Sequence, residues 1–112
     1  MTPQLTDRER KVLAQILAPF ADKISSVGVF GSRASGKAEA NSDIDLVIYG
    51  DFDENTEAEL WTLFDESNLA VSVDVVSYRH IKHDALKQHI DKAAIELFSQ
   101  ADLLRERMQA ER

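Results

Sequence analysis

The segment Asp43-Ile44-Asp45-Leu46-Val47-Ile48 alternates acidic and strongly apolar residues, and it constrains the fold more than any other stretch of the chain. Successive side chains on a strand point to opposite faces. A strand here puts Ile44, Leu46 and Ile48 on one face and Asp43, Asp45 and Val47 on the other. A later run repeats the arrangement: Val71, Val73 and Val75 share one face, and Ser72, Asp74 and Val76 share the other. Two such strands require a sheet with one apolar face against a core and a second face carrying carboxylates. Alternate residues lie about 6–7 Å apart along a strand, and paired strands about 4.8 Å apart. If the two strands pair, three carboxylates converge within a few ångströms. Like charges that close oppose one another's ionisation. Magnesium is the natural counter-charge, since it favours hard oxygen ligands shared with substrate phosphates. An isolated Asp-x-Asp has a blander explanation as a solvated outer face, and Asp43 alone would also suit a turn cap.

The rest of the chain reads as α-β-(short α)-β-α-β-α. Thr6 followed three residues later by Glu9 is a capping box. Val12, Leu13, Ile16 and Leu17 continue at helical spacing until Pro19 stops or kinks the helix. Ile24 to Phe30 is a strand ending at Gly31, and residues 32–42 are a polar turn with one helical turn in it. The second strand covers Asp43–Tyr49 and closes at Gly50. Asn55 or Thr56 caps the next helix, with Leu60, Leu63 and Phe64 facing inward and Trp61 packing, and Leu69–Val76 is the third strand. From about Asp84 to the end the chain is helix-compatible, without Gly or Pro. Ile90, Ala94, Leu97, Ala101, Leu104 and Met108 form a heptad-like seam there. The end of that seam offers a contact for a homo- or hetero-oligomer. The expected fold is α/β (α+β): a small mixed sheet with flanking helices in one domain spanning 1–112.

Composition narrows the function. With 112 residues there is room for one domain, and no second one to bind an acceptor. Thirteen basic against twenty acidic residues leave a net charge of −7, which disfavours a long nucleic acid as ligand. The absence of cysteine removes disulfides, zinc–thiolate sites and thiol nucleophiles. The first residues lack an apolar signal core and no apolar run spans a membrane, so a cytoplasmic location is expected.

Gly31-Ser32 directly follows the first strand. Glycine allows a tight bend and close approach to a ligand. Backbone N–H groups opening a helix form an anion site, the Ser32 hydroxyl can donate to a phosphate, and Arg33 or Lys37 can add positive charge. Two other motifs fail. Residues 31–37 fit a P-loop for seven positions, but Ala38 stands where Ser or Thr must hold magnesium, and no long helix has room to follow. Asp51-x-Asp53-x-Asn55 starts like an EF-hand, yet Thr56 and Thr62 replace its glycine and glutamate. His80, His83 and His89 cluster in sequence, and His80 and His83 could share a helix face. Without cysteine, and with carboxylates elsewhere, they read as surface groups rather than a metal site.

Gly31-Ser32, ten intervening residues, Asp43-x-Asp45 and a later strand aspartate, Asp74, resemble the signature of polymerase-β-like nucleotidyltransferases. G-S-R-A-S-G…N-S-D-I-D-L-V-I is most similar to their minimal members, the MNT proteins, over about Ile24 to Phe98. Ser35 departs from the arginine many relatives carry, and Lys37 is the nearest replacement. The resemblance implies that Asp43 and Asp45 hold two magnesium ions against ATP or another triphosphate. It implies that Asp74 binds the ion activating the attacking hydroxyl and serves as general base. It further implies an antitoxin that adds AMP to a HEPN-type helical toxin. The toxin's own R-x-x-x-x-H pattern is missing here, because His83 follows Arg79 one position too early. Transfer to a small molecule and a non-catalytic binding module are the alternatives.

Overall fold

The computed structural model describes residues 2–110; Met1, Glu111 and Arg112, at the ends of the expected domain, lie outside them. Helix α1 (Asp7–Leu17) leads through a 3-10 segment (Ala18–Lys23) into β1 (Ile24–Phe30), and a four-residue helix α2 (Ser32–Ser35) precedes β2 (Ile44–Gly50). Helix α3 (Glu54–Asp65) crosses to β3 (Val73–Ser77). A 3-10 turn (Tyr78–His80), α4 (Asp84–Ala93), β4 (Ile95–Ser99) and α5 (Gln100–Ala110) complete the order. The sheet runs β3-β2-β1-β4, parallel between β2 and β3 and antiparallel elsewhere. This is the mixed-sheet α+β architecture expected.

Local chemistry sets most boundaries. The Thr6 N–H donates to Glu9 Oε1 (2.9 Å) and the Glu9 N–H to Thr6 Oγ1 (3.0 Å), so the capping box forms. Pro19 sits in the first turn of the 3-10 segment that replaces α1. The cap of α3 is Asp53, not Asn55 or Thr56: its carboxylate accepts from the Thr56 N–H (2.9 Å) and hydroxyl (3.0 Å). Leu60 and Phe64 are buried as expected, but Leu63 points outward and is 37% exposed. Trp61 is 42% exposed and packs only partly; its indole N–H donates to the Val75 carbonyl at 2.9 Å on edge strand β3. Residues 69–72 lie outside β3, which instead extends to Ser77.

The largest difference lies at the C-terminus. The expected continuous helix is broken by β4, which fills the open edge of β1, pairing Val27 with Phe98 and Gly28 with Glu96 across a bulge. Edge pairing satisfies a row of backbone groups that a longer helix would leave exposed, and it buries Leu97 and Phe98. The heptad seam therefore does not exist as one surface. Ile90 is buried on α4, Leu97 lies in the sheet, and Met108 on α5 is 64% exposed.

Helices α1, α3 and α5 bury Leu13, Leu17, Leu60, Phe64 and Leu103 against Val27, Val29, Leu46, Ile48 and Val75 on one sheet face. Each large side chain so buried contributes about 1.5–3 kcal/mol. The opposite face holds a smaller cluster of Phe30, Val47 and Ile90, covered by α4. At Gly28 a Cβ would lie 3.1 Å from Val47 Cγ1 and 3.6 Å from Ala94 Cβ, so a larger residue would have to displace the Val47 side chain slightly for the α4–β4 junction to pack this closely.

Arg33 ties these parts together. It is 4% exposed. Its Nη1 donates to Glu9 Oε1 (2.9 Å) and the Gln4 carbonyl (3.0 Å), and its Nη2 to Glu9 Oε2 (3.2 Å) and the Ser42 carbonyl (2.7 Å). Its Nε also reaches the Ser42 carbonyl, at 3.2 Å. All five guanidinium N–H groups are thus used. Burial raises the Glu9 pKa, but the Thr6 N–H and Arg33 outweigh it and hold the carboxyl below its ordinary value. A carboxylate depressed in the folded state stabilises above its unfolded pKa, and the benefit is lost as pH falls through the folded one. Arg33→Ala should cost about 3–5 kcal/mol in urea unfolding, because it strands a buried carboxylate; a loss under about 1 kcal/mol would contradict this. Glu9→Gln should flatten the acid limb of stability against pH.

Candidate active site

The parallel pairing of β2 with β3 puts Asp45 directly opposite Asp74. Strand pairing brings the two positions within about 4.8 Å. Asp43 lies just before β2, exposed, two residues upstream on the same face. The Ile44 N–H donates to the Ser72 carbonyl (2.9 Å) and closes the start of this pairing. Asp45 shows the consequence. Burial, then the charges of Asp74 and Asp43 and a hydrogen bond with Asp74, push its pKa above the ordinary carboxylate value. Among the described residues, no three His, Asp or Glu side chains already form an enclosed cation site. The carboxylates are brought together but not wrapped around a point.

Gly31 forms the floor beneath Asp45. Phe30, the last residue of β1, pairs with Asp45 across the antiparallel ladder, and the chain turns sharply at Gly31 with φ +72°. A Cβ there would lie 2.2 Å from Asp45 Oδ2, so a side chain would occupy the space the carboxylate needs. Both the backbone angle and the close approach call for glycine. Helix α2 starts at the next residue, with half-buried Ser32 leading it and the Gly31 carbonyl accepting from the Ala34 and Ser35 N–H groups (both 3.1 Å). The first N–H groups of a helix have no acceptor within it, so the Ser32 end of α2 presents donors beside the carboxylates.

Of the two cations expected at a phosphate, Arg33 is elsewhere. Its guanidinium is spent on Glu9, Gln4 and Ser42 and has no N–H left for a ligand. The reason is position: the second residue of α2 points back at α1, where the Glu9 carboxylate waits. Lys37 is exposed in the following loop, its backbone N–H on the Ser32 carbonyl at 3.3 Å.

His89 on α4 also lies near these residues. Its ring meets Phe30 edge-on, with centroids 6.3 Å apart at 78°. Its charge opposes part of the rise in the Asp45 pKa, which burial dominates. The three histidines lie apart in the fold: His80 pairs with Glu57 through Nδ1 (3.2 Å) on a 3-10 turn, and His83 sits at the start of α4, so those two share no helix face. Only the folding of α4 across the sheet brings His89 to Asp45, and no spacing in the sequence signals it. A cavity of about 260 Å3, walled by Trp61, Phe64, Leu69 and Ser72, opens beside Asp74 at the sheet edge.

Comparison with known proteins sets this arrangement in context. A toxin–antitoxin structure with AMP-PNP has a similar fold, at 24% identity over 91% of this chain and 83% of that one, with a TM-score of 0.66. A protein assigned as a minimal nucleotidyltransferase is 30% identical over 79% of this chain and 89% of its own, with a TM-score of 0.55. A Shewanella oneidensis structure holds a tri-AMPylated HEPN toxin in complex with MNT antitoxin; it is 18% identical over 90% of this chain and 87% of that one, TM-score 0.53. No curated protein sequence matches significantly. The family model described as Polymerase beta, Nucleotidyltransferase matches residues 11–103. With all four strands and all three aspartates inside that span, the chain belongs to the polymerase-β nucleotidyltransferase family.

Proposed function

We propose that this chain transfers AMP from ATP to a hydroxyl group on a HEPN-type helical protein, acting as the antitoxin of a toxin–antitoxin pair. The observation that carries the reading is the in-register Asp45 and Asp74 beside a Gly31 turn that has no room for a side chain. The toxin–antitoxin complexes among its structural relatives, one with AMP-PNP and one with an AMPylated toxin, support the donor and the acceptor.

The donor set suits magnesium. Asp43, Asp45 and Asp74 supply only hard carboxylate oxygens, and the charges of Asp74 and Asp43, which add to burial in raising the Asp45 pKa, are ones a cation would offset. These three residues would hold two magnesium ions, which supply charge neutralisation at the triphosphate and at the attacking and leaving oxygens. The Ser32 hydroxyl and the first N–H groups of α2 bind phosphate oxygens, with Gly31 allowing their approach and Lys37 adding charge from the loop. Asp74 takes the proton of the acceptor hydroxyl. The acceptor oxygen forms its bond to the α-phosphorus as the bond to the β-phosphate oxygen breaks, and pyrophosphate leaves in line. The cavity beside Asp74 gives the acceptor an approach from the sheet edge.

The carboxylate cluster predicts a metal-dependent stability. An acid whose folded pKa lies above its unfolded one stabilises the fold while protonated, and that contribution fades as pH rises through the folded value. Without metal, Asp45→Asn should therefore gain stability near neutral pH, by no more than about 1 kcal/mol once solvent screening of this partly exposed group is counted, read as a higher melting temperature. Magnesium should stabilise the wild type and have much less effect on Asp45→Asn. Equal responses in thermal melts would remove these residues from the metal site.

Incubation with labelled ATP, magnesium and any HEPN-type helical protein encoded by a neighbouring gene should label that protein. Mass spectrometry should find added AMP, lost with Asp43→Asn or Asp45→Asn, while Asp74→Asn spares nucleotide binding more than turnover. Label on transfer RNA with an unmodified neighbour would decide against a protein acceptor.

A further inference from the structure

We propose that His89 is a substrate-contacting residue of the nucleotide site, its imidazole donating a hydrogen bond to the phosphate chain of the bound triphosphate. The inference rests on the nucleotidyl-transfer reading above and adds a residue that lies on neither carboxylate strand nor the Gly31 turn.

Three placements carry it. Helix α4 is held over the carboxylate face of the sheet by fully buried Ile90 and by the close approach of Ala94 to Gly28, so the neighbouring His89 has a defined position. Its ring packs edge-on against Phe30. Phe30 is both the residue before Gly31-Ser32 and the cross-strand partner of Asp45. This contact therefore sets the imidazole against the residue that joins the Gly31 turn to Asp45. The electrostatic influence of His89 on Asp45 agrees with that position.

The donor inventory points the same way. A triphosphate brings many acceptor oxygens to a site made of carboxylates, and Arg33 has no donor left to offer. His89 is exposed, and among the described residues neither of its ring nitrogens has a hydrogen-bond partner, whereas His80 is tied to Glu57. A neutral imidazole carries one N–H donor and a protonated one carries two, so the contact is available in either state.

Calorimetry with AMP-PNP and magnesium tests the proposal on the wild type, His89→Phe and His89→Gln. The Phe variant keeps an aromatic ring against Phe30 but has no donor; the Gln variant restores an N–H. A hydrogen bond to a charged phosphate predicts about tenfold weaker binding for His89→Phe, with a matching rise in KM for ATP and a smaller change in kcat. The Gln variant should recover to within about threefold of wild type, on the same basis. Melting temperatures close to wild type for both variants would confirm that folding is retained, as expected for an exposed side chain. Wild-type affinity in His89→Phe overturns the assignment and leaves the nucleotide reading standing. Equal losses in both variants also overturn it, since a restored N–H donor would then fail to rescue binding. A wild-type protein that binds no nucleotide overturns both.

Discussion

Asp45 and Asp74 face one another on adjacent parallel strands, and the surrounding structure is arranged to hold that repulsion in place. Neither residue can move away without moving a strand. The alternate residues on the same strands, Leu46 and Ile48 on β2 and Val73 and Val75 on β3, are locked into the core on the opposite face. A slip of one residue would send the aspartates into that core and the apolar side chains to solvent. Hydrophobic burial on one side thus enforces electrostatic cost on the other. The cost is visible as the raised pKa of Asp45, to which burial contributes most.

The sheet is therefore covered unequally. Helices α1, α3 and α5 seal one face, while α4 covers only part of the other, with Ile90 over Phe30 and Val47. Two glycines make the open part usable. Gly28 lets the α4–β4 junction settle against the sheet, and Gly31 leaves room for the Asp45 carboxylate at the end of β1. The result is a set of carboxylates reachable from solvent, with a turn of backbone donors on one side and a histidine-bearing helix on another.

Arg33 shows how a motif residue can serve the site without touching it. It stands next to Ser32, and its guanidinium joins the Ser42 carbonyl, immediately before Asp43, to Glu9 of α1. The turn that begins the site and the strand entry that completes it are thereby fastened to the same buried ion pair. Such a pair adds little net stability compared with apolar packing but is expensive to break, which suits a geometric fixture.

The sequence by itself determined the two strands bearing the aspartates, the faces on which those aspartates lie, the capping box of α1 and the Gly31-Ser32 turn. Each is written in local periodicity or backbone preference, which neighbouring residues suffice to specify. Arg33 beside Ser32 was equally legible as a cation but not in its role, because its partner Glu9 lies 24 residues away in sequence. The segment from Ile95 to Ser99 suits a heptad as well as a strand, and the vacant edge of β1 settled the matter by offering hydrogen bonds that no local signal encodes. That choice ended α4 at Ala93 and bound the next residues to β1. The position of His89 over Asp45 was decided there, by tertiary structure alone, since only strand pairing across the sheet brings a helix from late in the chain to a turn formed near its start.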